Sequence, residues 1–149
     1  MVYERTFAMI KPDGMKYKDE ILKRIKEAGL RVVKSNIVKV SPDLAAKFYK
    51  HVRVNRGDQI YQSLIDYITS GEVMPMILEG ENAVSVLRKI TGNTDPEKAE
   101  KGTIRGDFGT DKMRIADSEN RATRNVIHSS SSPDEAVIEI NYFFKRYQK

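Results

Sequence analysis

Cysteine is absent from the 149-residue sequence, so the chain can build neither a disulfide framework nor a thiolate metal site. The sequence also lacks a run of about 18 apolar residues, the length that a helix needs to cross a bilayer. Residues 1–5 lead directly into a strand pattern and do not have the form of a signal peptide. We therefore expect a cytoplasmic location and no association with a membrane.

The sequence signatures of the common phosphotransferases are missing as well. No segment matches the Walker A pattern, which excludes a P-loop enzyme. The signature motifs of protein kinases, with their catalytic aspartate, are also absent.

The composition is that of an ordinary globular protein, with 40% hydrophobic and 32% charged residues. At this length we expect one domain, residues 1–149, which buries about 68–70% of its unfolded surface. The net charge of +5 favours anionic partners, and nucleotides and nucleic acids both qualify.

The pattern of apolar residues predicts strands at 6–10, 30–40, 73–78 and 125–128. It predicts helices at 19–28, from 41, at 60–68, from 82 and at 133–144. Pro75 indicates an edge strand or a bulge, since proline cannot donate a ladder hydrogen bond. This order predicts an α+β fold of ferredoxin-like βαββαβ topology, a four-stranded antiparallel sheet with helices packed on one face.

Polar residues that could carry chemistry lie next to the predicted elements. Lys11 follows the first strand, and Arg88 lies on the helix after the third strand. Thr94 and Arg105 lie in residues 91–124, a segment without regular pattern of a length that is usually functional or disordered. Considered alone, each could be a solvated surface residue.

His128 ends the last predicted strand, and a run of four serines follows it. Ser132 fits the N-cap of the next helix, Pro133 its first position, and Glu135 the third position of a capping box. The imidazole therefore lies between a strand and a helix N-terminus, where backbone N–H groups favour an anion. Such a place suits a histidine that handles phosphate, although a histidine satisfied by a neighbour fits this motif as well.

Four blocks of the sequence together resemble the nucleoside diphosphate kinase family, in that family's order and over nearly the whole chain. The blocks are Ile10-Lys11-Pro12-Asp13-Gly14, Gly92-Asn93-Thr94-Asp95-Pro96, Gly102-Thr103-Ile104-Arg105-Gly106-Asp107-Phe108 and Asn125-Val126-Ile127-His128-Ser129-Ser130.

The resemblance implies a ping-pong phosphotransferase. His128 would attack the γ-phosphate of ATP or another nucleoside triphosphate, and a nucleoside diphosphate would then accept the phosphoryl group from the pros nitrogen of the phosphohistidine. Mg²⁺ would bridge the β- and γ-phosphates, held mainly by phosphate and water rather than by protein ligands. No specific binding of nucleic acid is expected.

The resemblance also assigns roles to individual side chains. Those that would clamp the phosphates are Lys11, Arg88, Arg105 and Thr94. Tyr49 would lie close to the transferred group, and Asn125 would join Lys11 at the ribose. Ile60 and Leu64 match the positions that contact the base. Glu139 would orient the imidazole, with Ser130 between them in the hydrogen-bond chain.

The sequence departs from the family pattern in several places. Ser131 stands where the family has an acidic residue, Ile60 stands where an aromatic residue usually stacks on the base, and extra residues lie between Phe108 and Asn125. The resemblance implies a homo-oligomer, either a hexamer or a tetramer, and the altered loops bear on which of the two forms, since loops contribute to oligomer contacts in this family.

Two alternatives stay open at this point. Ser131 is compatible with a catalytically weakened homologue that binds nucleotide or serves as a scaffold. The basic charge is compatible with a nucleic-acid-binding module, although no RNP-type aromatic motif is present on the strands.

Overall fold

The computed structural model describes residues 1–145. Its strands are β1 (Tyr3–Ile10), β2 (Arg31–Ser35), β3 (Met74–Glu81) and β4 (Ile127–Ser129). A 3-10 helix spans Pro12–Tyr17, directly after the first strand. The α-helices are α1 (Lys18–Glu27), α2 (Pro42–Phe48), α3 (Lys50–Arg56), α4 (Asp58–Ile68), α5 (Ala83–Thr91), α6 (Ile104–Phe108), α7 (Met113–Ser118) and α8 (Pro133–Phe143).

The four strands form one antiparallel sheet in the order β2-β3-β1-β4. This order and the alternation with helices confirm the predicted α+β, ferredoxin-like fold. The short strand β4 lies at one edge, and its register places His128 opposite Met9 of β1.

Helices cover both faces of the sheet, so the prediction of a single covered face is wrong. Phe7 and Met9 of β1 pack with α2, α4 and α8, whereas Ala8 and Ile10 pack with α1 and α5. Successive side chains of a strand point to opposite faces, and here both sets are fully buried. His128, opposite Met9, therefore belongs to the face that α8 covers.

Pro75 lies on an internal strand, so the prediction of an edge strand is wrong. The carbonyl of Pro75 points toward β2 and accepts a hydrogen bond from the backbone N–H of Asn36. A residue with an N–H at this position would also direct that N–H toward β2. This position lies just beyond Ser35–Met76, the last β2–β3 pair. The proline therefore interrupts no ladder bond, and the irregularity of this pairing is a register shift between Val32 and Lys34.

The helices that were predicted to begin at residues 41, 82 and 133 differ in how they are capped. The hydroxyl of Ser41 accepts from the N–H of Leu44 at 3.2 Å, and that of Ser132 accepts from Glu135 at 3.1 Å. Asn82 has a φ of +50° and does not cap α5. A carboxylate oxygen of Glu4 accepts from the N–H of Val84 instead.

Residues 91–124, which showed no regular sequence pattern, are folded. After α6, residues 109–124 form an excursion that contains α7 and is joined to the rest by backbone N–H groups. The N–H of Met113 donates to Asp95, and that of Ala122 donates to the hydroxyl of Ser63. Across residues 1–145, we find no helix with the length and apolar character of a membrane span.

Candidate active site

His128 lies in a pocket of aromatic rings on the α8 side of the sheet. Its ring centroid is 5.2 Å from that of Phe48, in an edge contact, and 6.0 Å from that of Phe7. The side chain keeps 21% of its surface exposed. The imidazole is thus held on two sides and reaches solvent on another.

Glu139 of α8 fixes the orientation of the imidazole. The Nε2 atom of His128 is 2.9 Å from Oε1 of Glu139. The hydroxyl of Ser130 donates to the same carboxylate oxygen at 2.5 Å. The family resemblance placed Ser130 between the histidine and the glutamate, and this expectation is wrong. Ser130 supports the carboxylate beside the ring.

The carboxylate determines which ring nitrogen is free. An ionised carboxylate only accepts hydrogen bonds, so Nε2 of the neutral ring carries the proton and donates it. The other nitrogen, Nδ1, then keeps its lone pair. Nδ1 is the pros nitrogen, the atom that the sequence analysis expected to be phosphorylated.

The Tyr49 hydroxyl is a buried donor that has no hydrogen-bond partner within residues 1–145. Burial raises the pKa of this phenol, and the charge of Glu139 raises it further, so the group stays protonated. An unpaired buried donor costs about 1–3 kcal/mol.

A chain of hydrogen bonds joins three of the predicted nucleotide contacts. The ammonium of Lys11 donates to Oδ1 of Asn125 at 2.7 Å. The amide nitrogen of Asn125 donates to the backbone carbonyl of Thr94 at 3.0 Å. The fold thus brings together residues that lie on β1, before β4 and in the loop after α5.

Two buried cations lie together at this point. Burial, with a further contribution from the charge of Arg105, lowers the pKa of Lys11 to about 7, and Asp13 opposes the shift. Burial lowers the pKa of Arg105 to about 10, helped by Arg88 and opposed by Asp13. Cations that repel one another in a buried place would be stabilised by an anion between them.

Arg105 also has a role in the free protein that the sequence did not predict. Its guanidinium donates to the backbone carbonyls of Asn125 at 3.0 Å, Ile127 at 2.6 Å and Gly92 at 3.1 Å. Arg88 donates a longer bond, of 3.4 Å, to the carbonyl of Ser129. Both arginines are therefore attached to the backbone on either side of His128.

The two residues predicted to contact a base lie on α4. Leu64 is buried in the core cluster that contains Phe48 and Tyr49, and so supports the aromatic pocket. Ile60, one turn earlier, is half-buried. Ser131 is exposed, so the absence of a carboxylate there leaves the buried hydrogen bonds of the site intact.

Three residues at the site were not predicted to contribute to it. A carboxylate oxygen of Asp13 accepts from the N–H of Val126 at 3.1 Å, and the other contacts the hydroxyl of Tyr67. Val126 has a φ of +75°. Asp13 lies in the first of the four family blocks, but Pro-Asp-Gly is also a common turn sequence, so the local pattern gave it no role at the site.

The side chains of residues 1–145 do not form a metal-binding cluster. No group of three or more histidine, aspartate or glutamate residues in the described part of the chain could hold a metal ion. This donor set fits an ion that arrives on the phosphates of a nucleotide, and it does not fit an ion held by the protein alone.

Comparisons with known proteins all point to one family. The profile of the family described as nucleoside diphosphate kinase matches residues 4–148. A nucleoside diphosphate kinase of Saccharolobus islandicus is 41% identical over 148 residues, which are 98% of each chain.

Solved structures agree with this sequence match. A nucleoside-diphosphate kinase of Borrelia burgdorferi, a transition-state mimic with bound vanadate and ADP, is 30% identical with a TM-score of 0.91, and the match covers 99% of this chain and 90% of that one. A halophilic nucleoside diphosphate kinase of Halobacterium salinarum in complex with CDP is 32% identical with a TM-score of 0.83, over 99% and 91% of the chains. The resemblance inferred from the four blocks is confirmed: the chain belongs to the nucleoside diphosphate kinase family.

Proposed function

We propose that Nδ1 of His128 carries the phosphoryl group in a ping-pong transfer between a nucleoside triphosphate and a nucleoside diphosphate. The phosphotransferase class follows from the family. The assignment of the atom depends on one observation, the hydrogen bond between Nε2 and Glu139, which leaves Nδ1 with its lone pair.

In the first half-reaction the lone pair of Nδ1 attacks the γ-phosphorus. The bond from that phosphorus to the bridging oxygen breaks, and the nucleoside diphosphate leaves with the electron pair. The ring gains positive charge, which the carboxylate of Glu139 stabilises through the Nε2–H that it already accepts. The second half-reaction is the reverse, with another diphosphate as the attacking group.

Positively charged side chains supply the rest of the catalysis. Charge spreads over the oxygens of a phosphoryl group in transfer, so the protein needs positive groups more than acid–base chemistry. Lys11, Arg88 and Arg105 would provide them, and the hydroxyl of Tyr49 would donate a hydrogen bond to the same group. A Mg²⁺ ion bound with the nucleotide would neutralise further phosphate charge.

We also propose the finer features of the protein from the family. Asn125 and Lys11 would bind the ribose, the hydroxyl of Thr94 a phosphate, and Ile60 and Leu64 the base. Apolar contacts to the base give broad base acceptance, in line with the ADP and CDP in the two related structures. Residues 1–149 would act as one domain in a cytoplasmic hexamer or tetramer.

A labelling experiment tests the reaction. The protein is incubated with γ-labelled ATP and Mg²⁺, separated from free nucleotide, and then given GDP. We expect an acid-labile label that moves to GTP and that is absent in His128→Ala. Absence of label in the wild-type protein, despite nucleotide binding, would contradict the proposed function.

A further inference from the structure

Val126 adopts a backbone conformation that its side chain disfavours. It is fully buried with a φ of +75°, and the N–H of Ile127 donates to the carbonyl of Asn125 at 2.8 Å across it. This bond between residues two apart, with a positive φ at the centre, defines the rarer and strained form of the γ-turn. A β-branched residue at positive φ is an outlier, and such strain costs about 1–3 kcal/mol.

The turn lies between the two ends of the candidate site. Asn125, before it, receives the ammonium of Lys11, and His128 is two residues after it. The direction in which the chain leaves the turn therefore sets the position of the imidazole relative to the Lys11–Asn125 pair.

The segment after β1 holds both backbone polar groups of Val126. The N–H of Val126 donates to a carboxylate oxygen of Asp13 at 3.1 Å, and its carbonyl accepts from the N–H of Lys11 at 2.8 Å. Gly14 permits this close approach, because a Cβ atom there would lie 2.5 Å from the carbonyl oxygen of Val126.

Tyr67 fixes the carboxylate of Asp13. The phenol donates to the other carboxylate oxygen, and the backbone N–H of Asp13 donates back to the phenol oxygen at 3.0 Å. The guanidinium of Arg124 lies over the ring of Tyr67, 5.0 Å from its centroid. Asp13 is thus fully engaged and aimed at the strained turn.

We propose that Asp13 and Tyr67 are positioning residues for phosphoryl transfer. Asp13 holds the γ-turn at Val126 and thereby aligns His128 with the Lys11–Asn125 pair, and Tyr67 holds Asp13 in place. This inference deepens the proposed function and depends on it.

The test measures the rate at which His128 is phosphorylated in a single turnover at saturating ATP. We expect Asp13→Ala to lower this rate by about 10- to 100-fold, because small misplacements of a reacting group have effects of this size. Asp13→Asn should stay within about 3-fold, since its amide oxygen still accepts from Val126. Tyr67→Phe should fall between the two.

A second substitution separates alignment from simple stability. Glycine adopts positive φ without penalty, so Val126→Gly relaxes the turn and lessens the need for Asp13. We expect Asp13→Ala to lower the rate by a clearly smaller factor in the Val126→Gly background than in the wild type. Ile25→Val, a buried change on α1, which supplies none of the hydrogen bonds of the turn, controls for stability and should leave the rate unchanged.

The outcomes are distinct. Wild-type phosphorylation rates in Asp13→Ala and Tyr67→Phe would overturn the inference and leave the proposed function standing. An Asp13→Ala effect of the same size in both Val126 backgrounds would also overturn it. If Asp13→Ala does not fold, Tyr67→Phe in both backgrounds gives the same comparison. Absence of label in the wild-type protein would overturn the proposed function together with this inference.

Discussion

The ammonium of Lys11 donates a 2.7 Å hydrogen bond to Oδ1 of Asn125, a residue 114 positions further along the chain. The pair is buried, and the acceptor is a neutral amide. Within residues 1–145 the hydrogen bond of this ammonium goes to a neutral group, and the charge of Asp13 only partly offsets the effects of burial and of Arg105. The phosphates and ribose of a nucleotide would be the natural complement, and this relationship leads to the first two predictions.

Nucleotide binding should take up a proton at pH 8. Because the pKa of Lys11 is lowered to about 7, the Lys11 side chain of the free protein is largely deprotonated at this pH. The negative charge of a bound phosphate would raise this pKa and restore the proton. Titration calorimetry with ADP in buffers of different ionisation enthalpy measures this uptake. It should be absent in Lys11→Met, and equal uptake in both proteins would contradict the prediction.

Lys11→Met should stabilise the fold at pH 6 by about 1–3 kcal/mol while impairing transfer. The pKa of about 7 in the folded protein lies below the ordinary lysine value of 10.5, so the folded state disfavours the proton. The unfolded chain binds more protons between these values, and wild-type stability therefore rises with pH across this window. Urea unfolding at pH 6 and pH 9 should show a larger rise for wild type than for the variant.

Loss of the Glu139 carboxylate should slow phosphorylation of His128. We expect the rate to fall by about 10-fold in Glu139→Gln, which keeps an acceptor for Nε2–H. It should fall by about 100-fold in Glu139→Ala, which releases the ring. Nitrogen-15 NMR of labelled histidine should find the Nε2–H tautomer in the wild type and a mixture in Glu139→Ala. An unchanged tautomer in Glu139→Ala would show that another group orients the ring.

Tyr49→Phe should separate activity from stability. The hydroxyl has no partner within the described residues, so its removal should leave the free energy of unfolding unchanged or raise it by about 1 kcal/mol. Phosphorylation of His128 should slow by about 10-fold because a donor to the phosphoryl group is lost. The matched control is Tyr17→Phe, because Tyr17 stacks on Phe108 away from the histidine. Equal rates for both variants would exclude a role for the Tyr49 hydroxyl in transfer.

The sequence predicted the elements whose patterns are local. Apolar spacing located the strands, and Ser132 with Pro133 marked the start of α8. The two covered faces of the sheet also had a signal, since Phe7 to Ile10 is an uninterrupted apolar run of the kind found in strands buried on both sides.

The contributions of Asp13 and Val126 could not be predicted in the same way. Asp13 contacts Tyr67, which is 54 residues away in the sequence, and Val126, which is 113 residues away. A local sequence pattern cannot indicate contacts between residues so far apart. Valine favours extended backbone, so a positive φ at Val126 is set by its surroundings and contradicts its own preference. The roles of His128 and the cations came from the family blocks, while their hydrogen bonds came from the structure.

The three hydrogen bonds of Arg105 have a consequence for how this chain can change. They join Gly92 to Asn125 and Ile127, the two sides of the long segment, and so close it at its base. The excursion at residues 109–124 lies outside this closure. Its outer part, away from Arg124, can therefore vary in length while the nucleophile keeps its position, and it is suited to shortening or to grafting a new surface beside the candidate site.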